Sequence, residues 1–374
     1  MLDVTLVVLC AGNSTRFDKS CKKQWLRVGN EPLWLNVTSR LKSFYNFYQT
    51  IVVSHKDELK YMQNFSDDYI FVEGGNCRQE SIKNALKSVN TKYVMISDVA
   101  RACIPSFVVD ELIKNRDKAS CIVPVLDVND TVIFEENTIN RDKVKLIQTP
   151  QLSTTEDLRE ALNTSIEFTD ESSAIKFLNR DIFYIKGDIA SKKLTFSSDI
   201  SSIPCLKEPV ATQFIGTGFD IHSFEVEKEM FLGGIKLPYS YGFKAHSDGD
   251  VLIHSLIDAL LGAIGAGDIG EFFPDTDPKY KGADSKKLLE YIVNFVYSVG
   301  YEIVNIDITI IAEKPKVNPH KQEIKTSLSK LLNIPKQFIN VKASTSEKLG
   351  AIGRAEGLIV QSIANLKYYN WMKK

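Results

Sequence analysis

The sequence predicts an α/β fold in two domains, of which the first contains a mainly parallel sheet with flanking helices. The chain has 374 residues, more than the roughly 100–200 of a typical single domain. Short apolar runs alternate with amphipathic segments through the N-terminal half, a pattern that favours parallel strands covered by helices. A stretch rich in serine and proline then separates this half from a region with a different pattern.

Apolar runs predict the strands of the first domain, and helical spacing predicts a helix over Gln79–Ser88. Because open α/β sheets bind ligands at the carboxyl ends of their strands, residues directly after each strand are the first candidates for a site. The predicted strands cover Val4–Cys10, Thr50–Ser54, Tyr69–Val72, Tyr93–Ser97 and Cys121–Val125.

The regular pattern dissolves within Phe196–Pro209, where a linker is predicted. We therefore assign residues 1–205 to the first domain, 206–212 to the linker and 213–374 to a smaller α/β or α+β domain. Its elements are predicted as a strand from Phe214, helices from about Asp250 and over Ser285–Val299, and strands over Asn305–Ala312 and Asn340–Ser344.

Composition argues against nucleic acid and membrane lipid as partners. With 46 basic and 47 acidic side chains, the chain offers no broad attraction for nucleic acid or anionic lipid. The apolar run at the start is too short for a signal peptide or a membrane span. The six cysteines include no Cys-x-x-Cys pair, so we predict reduced thiols and a cytoplasmic location.

The first candidate site begins in the loop Ala11–Arg16, whose backbone N–H groups can cradle phosphates. This loop matches neither a Walker A motif nor a dinucleotide fingerprint, and by itself it fits a plain tight turn equally well. Arg16 and Lys23 follow as cations suited to a phosphoryl group under attack. Asp98 ends an apolar strand, where a carboxylate commonly holds Mg²⁺ on a nucleotide.

Five motifs together resemble the cytidylyltransferases that make 4-diphosphocytidyl-2-C-methylerythritol. The resemblance implies that CMP passes from CTP to 2-C-methyl-D-erythritol 4-phosphate with release of pyrophosphate. The motifs are Leu9-Cys-Ala-Gly-Asn-Ser-Thr-Arg16, Lys23-Gln24, Gly74-Gly75…Arg78…Ser81, Ser97-Asp98-Val-Ala-Arg101 and Thr149-Pro150-Gln151.

The same resemblance implies a role for each matching residue. Asp98 positions Mg²⁺, while Arg16, Lys23 and Lys193 stabilise the pentacoordinate phosphorus. Arg141 and Thr169 are expected to bind the methylerythritol phosphate across a dimer contact. The remaining predicted substrate-binding residues are Gly12, Gly75, Ser81 and Thr149, with Gly75 and Ser81 holding the cytosine. The chain departs from the family pattern with lysine and alanine at 22 and 102, where proline is usual, and with serine at 14, where glycine is usual.

The second candidate site is a cluster of histidines and acids after the linker. Asp220 and His222 stand two apart on an extended segment, so their side chains leave the same face and can share one ion. His246 and His254 are further candidates, and three protein ligands with an open position are typical of catalytic zinc. Any one histidine alone would more simply be a hydrogen-bonded core residue. Asp258, one turn after His254, either orients that imidazole or is a plain surface acid.

The region from about Ile215 to Ala364 resembles 2-C-methyl-D-erythritol 2,4-cyclodiphosphate synthase. The resemblance selects Asp220, His222 and His254 as zinc ligands and assigns His246 and Ser247 to substrate phosphate. The motifs are Gly218-Phe-Asp-Ile-His, Ala245-His-Ser-Asp-Gly-Asp, Asp258-Ala-Leu-Leu-Gly-Ala, Gly267-Asp-Ile-Gly, Phe273-Pro-Asp-Thr-Asp, Lys281-Gly-Ala-Asp-Ser and Thr345-Ser-Glu-Lys-Leu-Gly350.

This second resemblance implies a cyclisation in which the 2-phosphate of the substrate attacks its own β-phosphorus and CMP leaves. Together the two resemblances imply a trimer through this domain and a dimer through the first, from which we hypothesise a hexamer. Glu347 would hold Mg²⁺ or Mn²⁺ between the phosphates, and Arg354 is a further predicted binding residue, with isoprenoid feedback there left open. The substrate contacts are Asp268 and Asp275 to the diol, and Ala312, Lys316 and Thr345 from a neighbouring subunit to the cytidine diphosphate.

Two alternatives are open at this level. The first domain would act on another polyol phosphate, such as ribitol 5-phosphate, because related cytidylyltransferases share the phosphate and cytosine motifs. Alternatively, one half is a non-catalytic module that binds nucleotide or metal and assembles the other half.

Overall fold

The computed structural model describes residues 3–245 and 247–372. The chain forms two compact units that divide between Glu208 and Pro209, a point inside the segment 206–212. Each unit has its own sheet and its own buried core. Within the described residues, no helix is long and apolar enough to cross a membrane.

The first unit is built on an eight-stranded sheet in the order β10-β7-β11-β6-β1-β4-β5, with β12 paired to β7. The strands are β1 (Val4–Leu9), β2 (Arg27–Val28), β3 (Glu31–Pro32), β4 (Gln49–Ser54), β5 (Ile70–Glu73), β6 (Tyr93–Asp98), β7 (Cys121–Asp127), β8 (Val132–Phe134), β9 (Asn137–Ile139), β10 (Lys145–Ile147), β11 (Gln151–Thr154) and β12 (Ile182–Lys186). The helices are α1 (Leu33–Phe44), α2 (Leu59–Gln63), α3 (Arg78–Leu86), α4 (Ser106–Lys114), α5 (Thr155–Leu162) and α6 (Glu171–Phe177).

The centre of this sheet is parallel, as predicted. Strand β1 pairs in parallel with both β4 and β6, and β4 pairs in parallel with β5. Strands β10 and β11 add antiparallel pairs to β7, and β11 also pairs antiparallel with β6. Both faces of β1 and β6 are covered, which explains their continuous apolar sequences. The carboxyl ends of β1, β4, β5 and β6 therefore lie along one edge, where the first candidate site was expected.

The prediction that all six cysteines carry reduced thiols is wrong for two of them. Cys103, in the loop after β6, forms a disulfide with Cys205, near the end of the first unit, and the other four cysteines keep their thiols. The two partners are 102 positions apart in sequence while their Cα atoms lie 5.7 Å apart. Cysteine spacing alone does not reveal such a pair, because only the tertiary fold brings the loop and the terminal segment together.

The second unit has a five-stranded sheet in the order β16-β13-β19-β17-β18, in which only β17 and β18 pair in parallel. Its strands are β13 (Gln213–Val226), β14 (Met230–Leu232), β15 (Ile235–Leu237), β16 (Tyr241–Phe243), β17 (Tyr301–Ile311), β18 (Ile339–Ser344) and β19 (Gly357–Tyr368). Its helices are α7 (Val251–Ile264), α8 (Ile269–Phe272), α9 (Ser285–Ser298), α10 (Lys321–Leu332) and α11 (Gly350–Gly353).

Helix α7 packs unusually close to β13 because two glycines face it. A Cβ on Gly216 would lie 2.1 Å from the Ala259 carbonyl oxygen, and a Cβ on Gly218 would lie 1.8 Å from that of Ser255. No side chain fits such a gap, so glycine permits this approach of two backbones. Since strand side chains alternate, positions 220 and 222 leave the same face of β13 toward α7.

Two candidate active-site clefts

The first cleft lies at the carboxyl ends of β1, β4, β5 and β6 and has a volume of about 690 Å³. Its wall includes the loop after β1, the start of the 3-10 helix Lys23–Trp25, the turn before α3, and the end of β6. The structure thus brings seven of the predicted residues to one cavity: Gly12, Arg16, Lys23, Gly75, Ser81, Asp98 and Lys193.

The turn before α3 is shaped by close contacts at its glycines. A Cβ on Gly74 would lie 2.5 Å from that of Ala11, so this turn and the loop after β1 approach each other closely. The Ser81 hydroxyl accepts a hydrogen bond from the Gly75 N–H at 3.1 Å and donates one to the Cys77 carbonyl at 3.0 Å. The turn therefore fixes the Ser81 side chain, which lines the cleft as a polar group in one orientation.

Asp98 is the centre of a buried charge network. Its Oδ1 accepts from Arg78 Nε at 3.1 Å, and its Oδ2 accepts from Lys193 Nζ at 2.6 Å. Arg78 reaches on to Glu171, where its NH2 lies 2.9 Å from Oε1. Burial by itself would raise the pKa of Asp98, but Arg78 and Lys193 outweigh it and hold that pKa well below its ordinary value. The carboxylate is therefore ionised at neutral pH.

The cations of this cleft repel one another when no anion lies between them. Burial lowers the pKa of Lys23, and the nearby charges of Lys193 and Arg16 lower it further. An anionic triphosphate would relieve this repulsion. Three cations facing one cavity are thus suited to bind phosphate and to stabilise charge developing on it.

The residues predicted to bind the acceptor are not at this cleft. Thr149 is close, since its hydroxyl accepts a hydrogen bond from the Asp98 backbone N–H at 3.2 Å. Arg141 is exposed and donates to the Asn129 carbonyl, and Thr169 is exposed ahead of α6. Within the part of the chain that the structure describes, neither Arg141 nor Thr169 lines the cavity.

The second cleft, of about 620 Å³, contains the predicted zinc ligands. Asp220 and His222 come from β13 and His254 from α7, and one ligand atom of each lies within 4.8 Å of the others. His254 Nδ1 is 3.3 Å and His222 Nδ1 is 3.6 Å from Asp220 Oδ2. Two imidazoles and a carboxylate at one point, half-buried and facing a cavity, form a donor set that fits a catalytic zinc ion.

Burial lowers the pKa of His222, and the neighbouring His254 adds to that shift. Burial acts in the same direction on His254, but the hydrogen bond to Asp220 outweighs it, so the pKa of His254 is raised. The two rings therefore differ in their affinity for a proton, and metal binding requires both in the neutral form.

Neither of the two roles left open for Asp258 is observed: within the described part of the chain it makes no hydrogen bond to His254, and it is half-buried rather than a plain surface acid. Among the described residues, the His254 ring contacts the Ser285 hydroxyl at 3.0 Å and the Ser247 hydroxyl at 3.2 Å through Nε2. Asp258 instead accepts the Ile269 backbone N–H at 2.9 Å and so holds the start of α8. Sequence reasoning missed Ser285 as a partner, although it ends the quoted motif Lys281-Gly-Ala-Asp-Ser.

Some of the other predicted residues of this domain lie at the cleft, and others lie away from it. Ser247 and Asp275 line the cleft, and Asp268 caps α8 beside it. His246 lies outside the described residues. The remaining residues lie away from the cleft wall, at or just after the carboxyl ends of β17 and β18 or, in one case, after α11: Ala312, Lys316, Thr345, Glu347 and Arg354.

The residues after β17 and β18 are linked to each other. The Thr345 hydroxyl donates to Glu347 Oε1 at 2.6 Å, and the Ala312 N–H donates to the Ser344 carbonyl at 3.0 Å. Lys316 N–H donates to the Tyr239 hydroxyl at 3.2 Å. The exposed side chains of Lys316 and Glu347, with the half-buried Thr345, form a second polar surface on the same unit, whereas Ala312 is buried.

Comparison with known proteins finds matches along the whole chain. A family described as 2-C-methyl-D-erythritol 4-phosphate cytidylyltransferase matches residues 4–205, and the YgbB family matches residues 213–367. The bifunctional enzyme IspD/IspF of Aliarcobacter butzleri is 68% identical over 374 residues, 100% of both chains, and that of Campylobacter curvus is 49% identical over 373 residues, also 100% of both. The solved structure of the bifunctional IspDF from Campylobacter jejuni is 46% identical with a TM-score of 0.89, covering 99% of this chain and 100% of that one.

Proposed function

The chain belongs to the family of bifunctional IspD/IspF enzymes, and on this premise we propose which residues carry out its two reactions. It combines a cytidylyltransferase with a cyclodiphosphate synthase, both of the methylerythritol phosphate route to isoprenoid precursors. The non-catalytic alternative for either half has no support, because relatives named as bifunctional enzymes match the full length.

In the first cleft, an oxygen of the methylerythritol 4-phosphate attacks the α-phosphorus of CTP, and the bond from that phosphorus to the pyrophosphate oxygen breaks. Arg16, Lys23 and Lys193 neutralise the charge that builds on the phosphorus and on the leaving group. Gly12 in the loop after β1 binds phosphate, and Gly75 and Ser81 bind the cytosine. Their convergence on one cavity supports these roles.

Asp98 fits a ligand of Mg²⁺. It faces the cavity as an ionised carboxylate, and each of its oxygens has a second lone-pair site beside the one used by Arg78 or Lys193. Mg²⁺ is commonly held by one or two carboxylates plus substrate phosphates, and when bound it supplies charge neutralisation on the triphosphate. The protein's own part is to hold the Asp98 carboxylate fixed between two cations.

Arg141 and Thr169 are proposed to bind the acceptor from a second copy of the chain, with Thr149 beside the metal ligand. Their exposure away from the cleft of their own chain supports a contribution in trans. Methylerythritol phosphate rather than ribitol 5-phosphate is the acceptor named by the family that matches residues 4–205. Pyrophosphate release from CTP with each acceptor tests this choice, and a strong preference for ribitol phosphate would overturn it.

In the second cleft, an oxygen of the substrate's 2-phosphate attacks its β-phosphorus, and the bond to the CMP oxygen breaks. Asp220, His222 and His254 would hold zinc, which would supply Lewis-acid polarisation of the β-phosphate. Ser247, together with His246, contacts phosphate, while the serine hydroxyl also steadies His254. The carboxylates proposed to bind the diol are those of Asp268 and Asp275.

The cytidine diphosphate part of that substrate is proposed to lie against the neighbouring subunit's polar surface after β17 and β18, with Ala312, Lys316 and Thr345. Glu347 is exposed there, and with one oxygen bound to Thr345 its other oxygen fits a Mg²⁺ or Mn²⁺ ion shared with phosphates. Arg354, which is exposed and paired with Glu356, is the last proposed binding residue.

A homo-oligomer with three-fold contacts through the second unit and two-fold contacts through the first is proposed, giving a hexamer in the cytoplasm. Outward side chains of β13 support it, since Ile215, Phe219 and Ile221 are 67%, 59% and 51% exposed on one face. The hairpin β8–β9 likewise exposes Ile133 and Phe134. Light scattering tests this assembly, and a stable monomer at working concentration would exclude it.

One observation carries the assignment: the ligand atoms of Asp220, His222 and His254 meet within 4.8 Å on the wall of a cavity. The experiment is a zinc analysis of the purified full chain beside two assays, pyrophosphate release from CTP with methylerythritol 4-phosphate and CMP release from the cyclisation substrate. We expect about one zinc per chain and both activities. A fully active cyclase without zinc would refute the metal assignment.

A further inference from the structure

Glu58 is a buried carboxylate next to the first cleft that none of the proposed steps uses. The residue is 1% exposed and immediately precedes α2, and its carboxylate does not line the cavity. A buried carboxylate is costly unless donors surround it. Glu58 has three: the Lys22 ammonium, which forms an ion pair with it, the Gln24 amide at 3.2 Å and the Trp25 indole N–H at 2.6 Å.

These three donors surround Lys23 in the sequence and fix the short helix that carries it. The Trp25 ring is completely buried and Gln24 is 2% exposed, so neither donor has water as an alternative partner. With positions 22, 24 and 25 held by one carboxylate more than thirty residues away, the backbone at Lys23 is held from both sides. Glu58 therefore restrains a cation that it does not touch.

Through Gln24, the Glu58 carboxylate is also connected to the loop after β1. The second hydrogen of the Gln24 amide goes to the Gly12 carbonyl at 3.0 Å, and its Oε1 accepts from the Ser14 hydroxyl at 3.4 Å. The Ser14 hydroxyl also accepts the Lys23 backbone N–H at 3.0 Å. Ser14 has φ +56°, a left-handed conformation that is unfavourable for serine unless neighbouring contacts hold it. The Glu58 carboxylate thus supports the loop as well as the cation.

We propose that Glu58 is a positioning residue for cytidylyl transfer, which fixes Lys23 and the loop Gly12–Ser14 against the triphosphate of CTP. Lys22, which stands where proline is usual in the family, is one of the three donors to the Glu58 carboxylate. The ion pair between Lys22 and Glu58 then supplies the rigidity that a proline ring would otherwise give the chain. The proposal rests on the assignment of the first cleft to CTP.

The test is the full chain with Glu58→Gln, a change that keeps the shape of the side chain but removes its charge and two lone-pair sites. We expect the KM for CTP to rise at least about fivefold and kcat of pyrophosphate release to fall about tenfold, since small misplacements of catalytic groups are costly. The KM for methylerythritol 4-phosphate should stay unchanged. A loss of folded enzyme would lower kcat but would leave both KM values as they are.

Glu111→Gln is the matched control, because it removes a half-buried carboxylate of the same domain that does not line the cleft and that bonds only to its neighbours at the end of α4, Lys114 and Asn115, among the described residues. It should leave both KM values and kcat unchanged, and cyclisation should proceed at the wild-type rate in both variants. If Glu58→Gln unfolds the first unit, Trp25→Phe replaces it in the test, because that change deletes one donor to Glu58 while keeping an aromatic ring. We then expect a smaller rise in the KM for CTP.

The outcomes distinguish a failure of the positioning role of Glu58 from a failure of the assignment of the first cleft to CTP. If folded Glu58→Gln has the wild-type KM for CTP, the positioning role alone is overturned. Where Glu58→Gln does not fold, a wild-type KM for CTP in Trp25→Phe has the same meaning. A wild-type chain that releases no pyrophosphate from CTP would instead overturn the assignment of the first cleft. A rise in the KM for CTP in the Glu58 variant, with the Glu111 control unchanged, supports the proposal.

Discussion

The close packing of α7 on β13 predicts that adding one methyl group at Gly218 will damage the proposed zinc site. A Cβ there would lie 1.8 Å from the Ser255 carbonyl oxygen and 2.8 Å from the Ala259 nitrogen, whereas real Cβ atoms essentially never approach closer than 3.0 Å. The obstructing atoms are backbone, so a rotamer change cannot relieve the clash. Strand and helix must therefore move apart by roughly 1 Å.

That movement separates the ligands, because Asp220 and His222 belong to the strand and His254 to the helix. Overpacking a core costs about 1–3 kcal/mol, and a misplacement of about 1 Å can cost about 100-fold in rate. For Gly218→Ala we therefore expect a loss of about 100-fold in kcat/KM for cyclisation, substoichiometric zinc, and a second unit less stable by about 1–3 kcal/mol.

The measurements are CMP release, zinc content and thermal unfolding of the purified chain. Gly262→Ala is the matched control on the opposite side of the same contact, where a Cβ would lie 3.8 Å from the Thr217 carbonyl oxygen and 4.0 Å from Gly216 Cα. It should keep full cyclase activity and gain up to about 1 kcal/mol of helix stability. Pyrophosphate release by the first unit should be normal in both variants. Wild-type cyclisation with full zinc in Gly218→Ala would show that the close packing of α7 on β13 does not hold the proposed zinc ligands in place.

Three further predictions concern individual side chains. Asp98→Asn should lower pyrophosphate release at least about 100-fold while cyclisation continues, because the change removes the anion between Arg78 and Lys193; an unaffected first activity would show that the residue was misassigned. His254→Ala should have the converse effect and abolish zinc binding, as metal analysis and CMP release would reveal. Burial and the charges of Lys193 and Arg16 lower the pKa of Lys23. Because this lysine must be protonated to stabilise phosphate, kcat/KM for CTP should fall with rising pH sooner than for an ordinary lysine, and Lys23→Arg should move that fall to higher pH; identical profiles for the two enzymes would contradict the role.

The sequence determined the elements and much of the candidate sites through local patterns. The predicted strand Val4–Cys10 is observed as Val4–Leu9, and the predicted parallel sheet is confirmed. A strand that is buried on both faces must be apolar throughout, so its position can be read from consecutive residues. The choice of His254 over His246 came from resemblance to a family, because two histidines on a short segment satisfy the same spacing rules.

The partners of buried polar groups were decided only by the tertiary structure. Glu58 meets Trp25, Arg78 meets Glu171, Cys103 meets Cys205, and Asp258 accepts the Ile269 N–H at the start of α8. Backbone geometry imposes a period on apolar residues that any short window displays. A carboxylate or a thiol carries no such period, and its partner depends on which distant segments the packing of the whole unit places beside it.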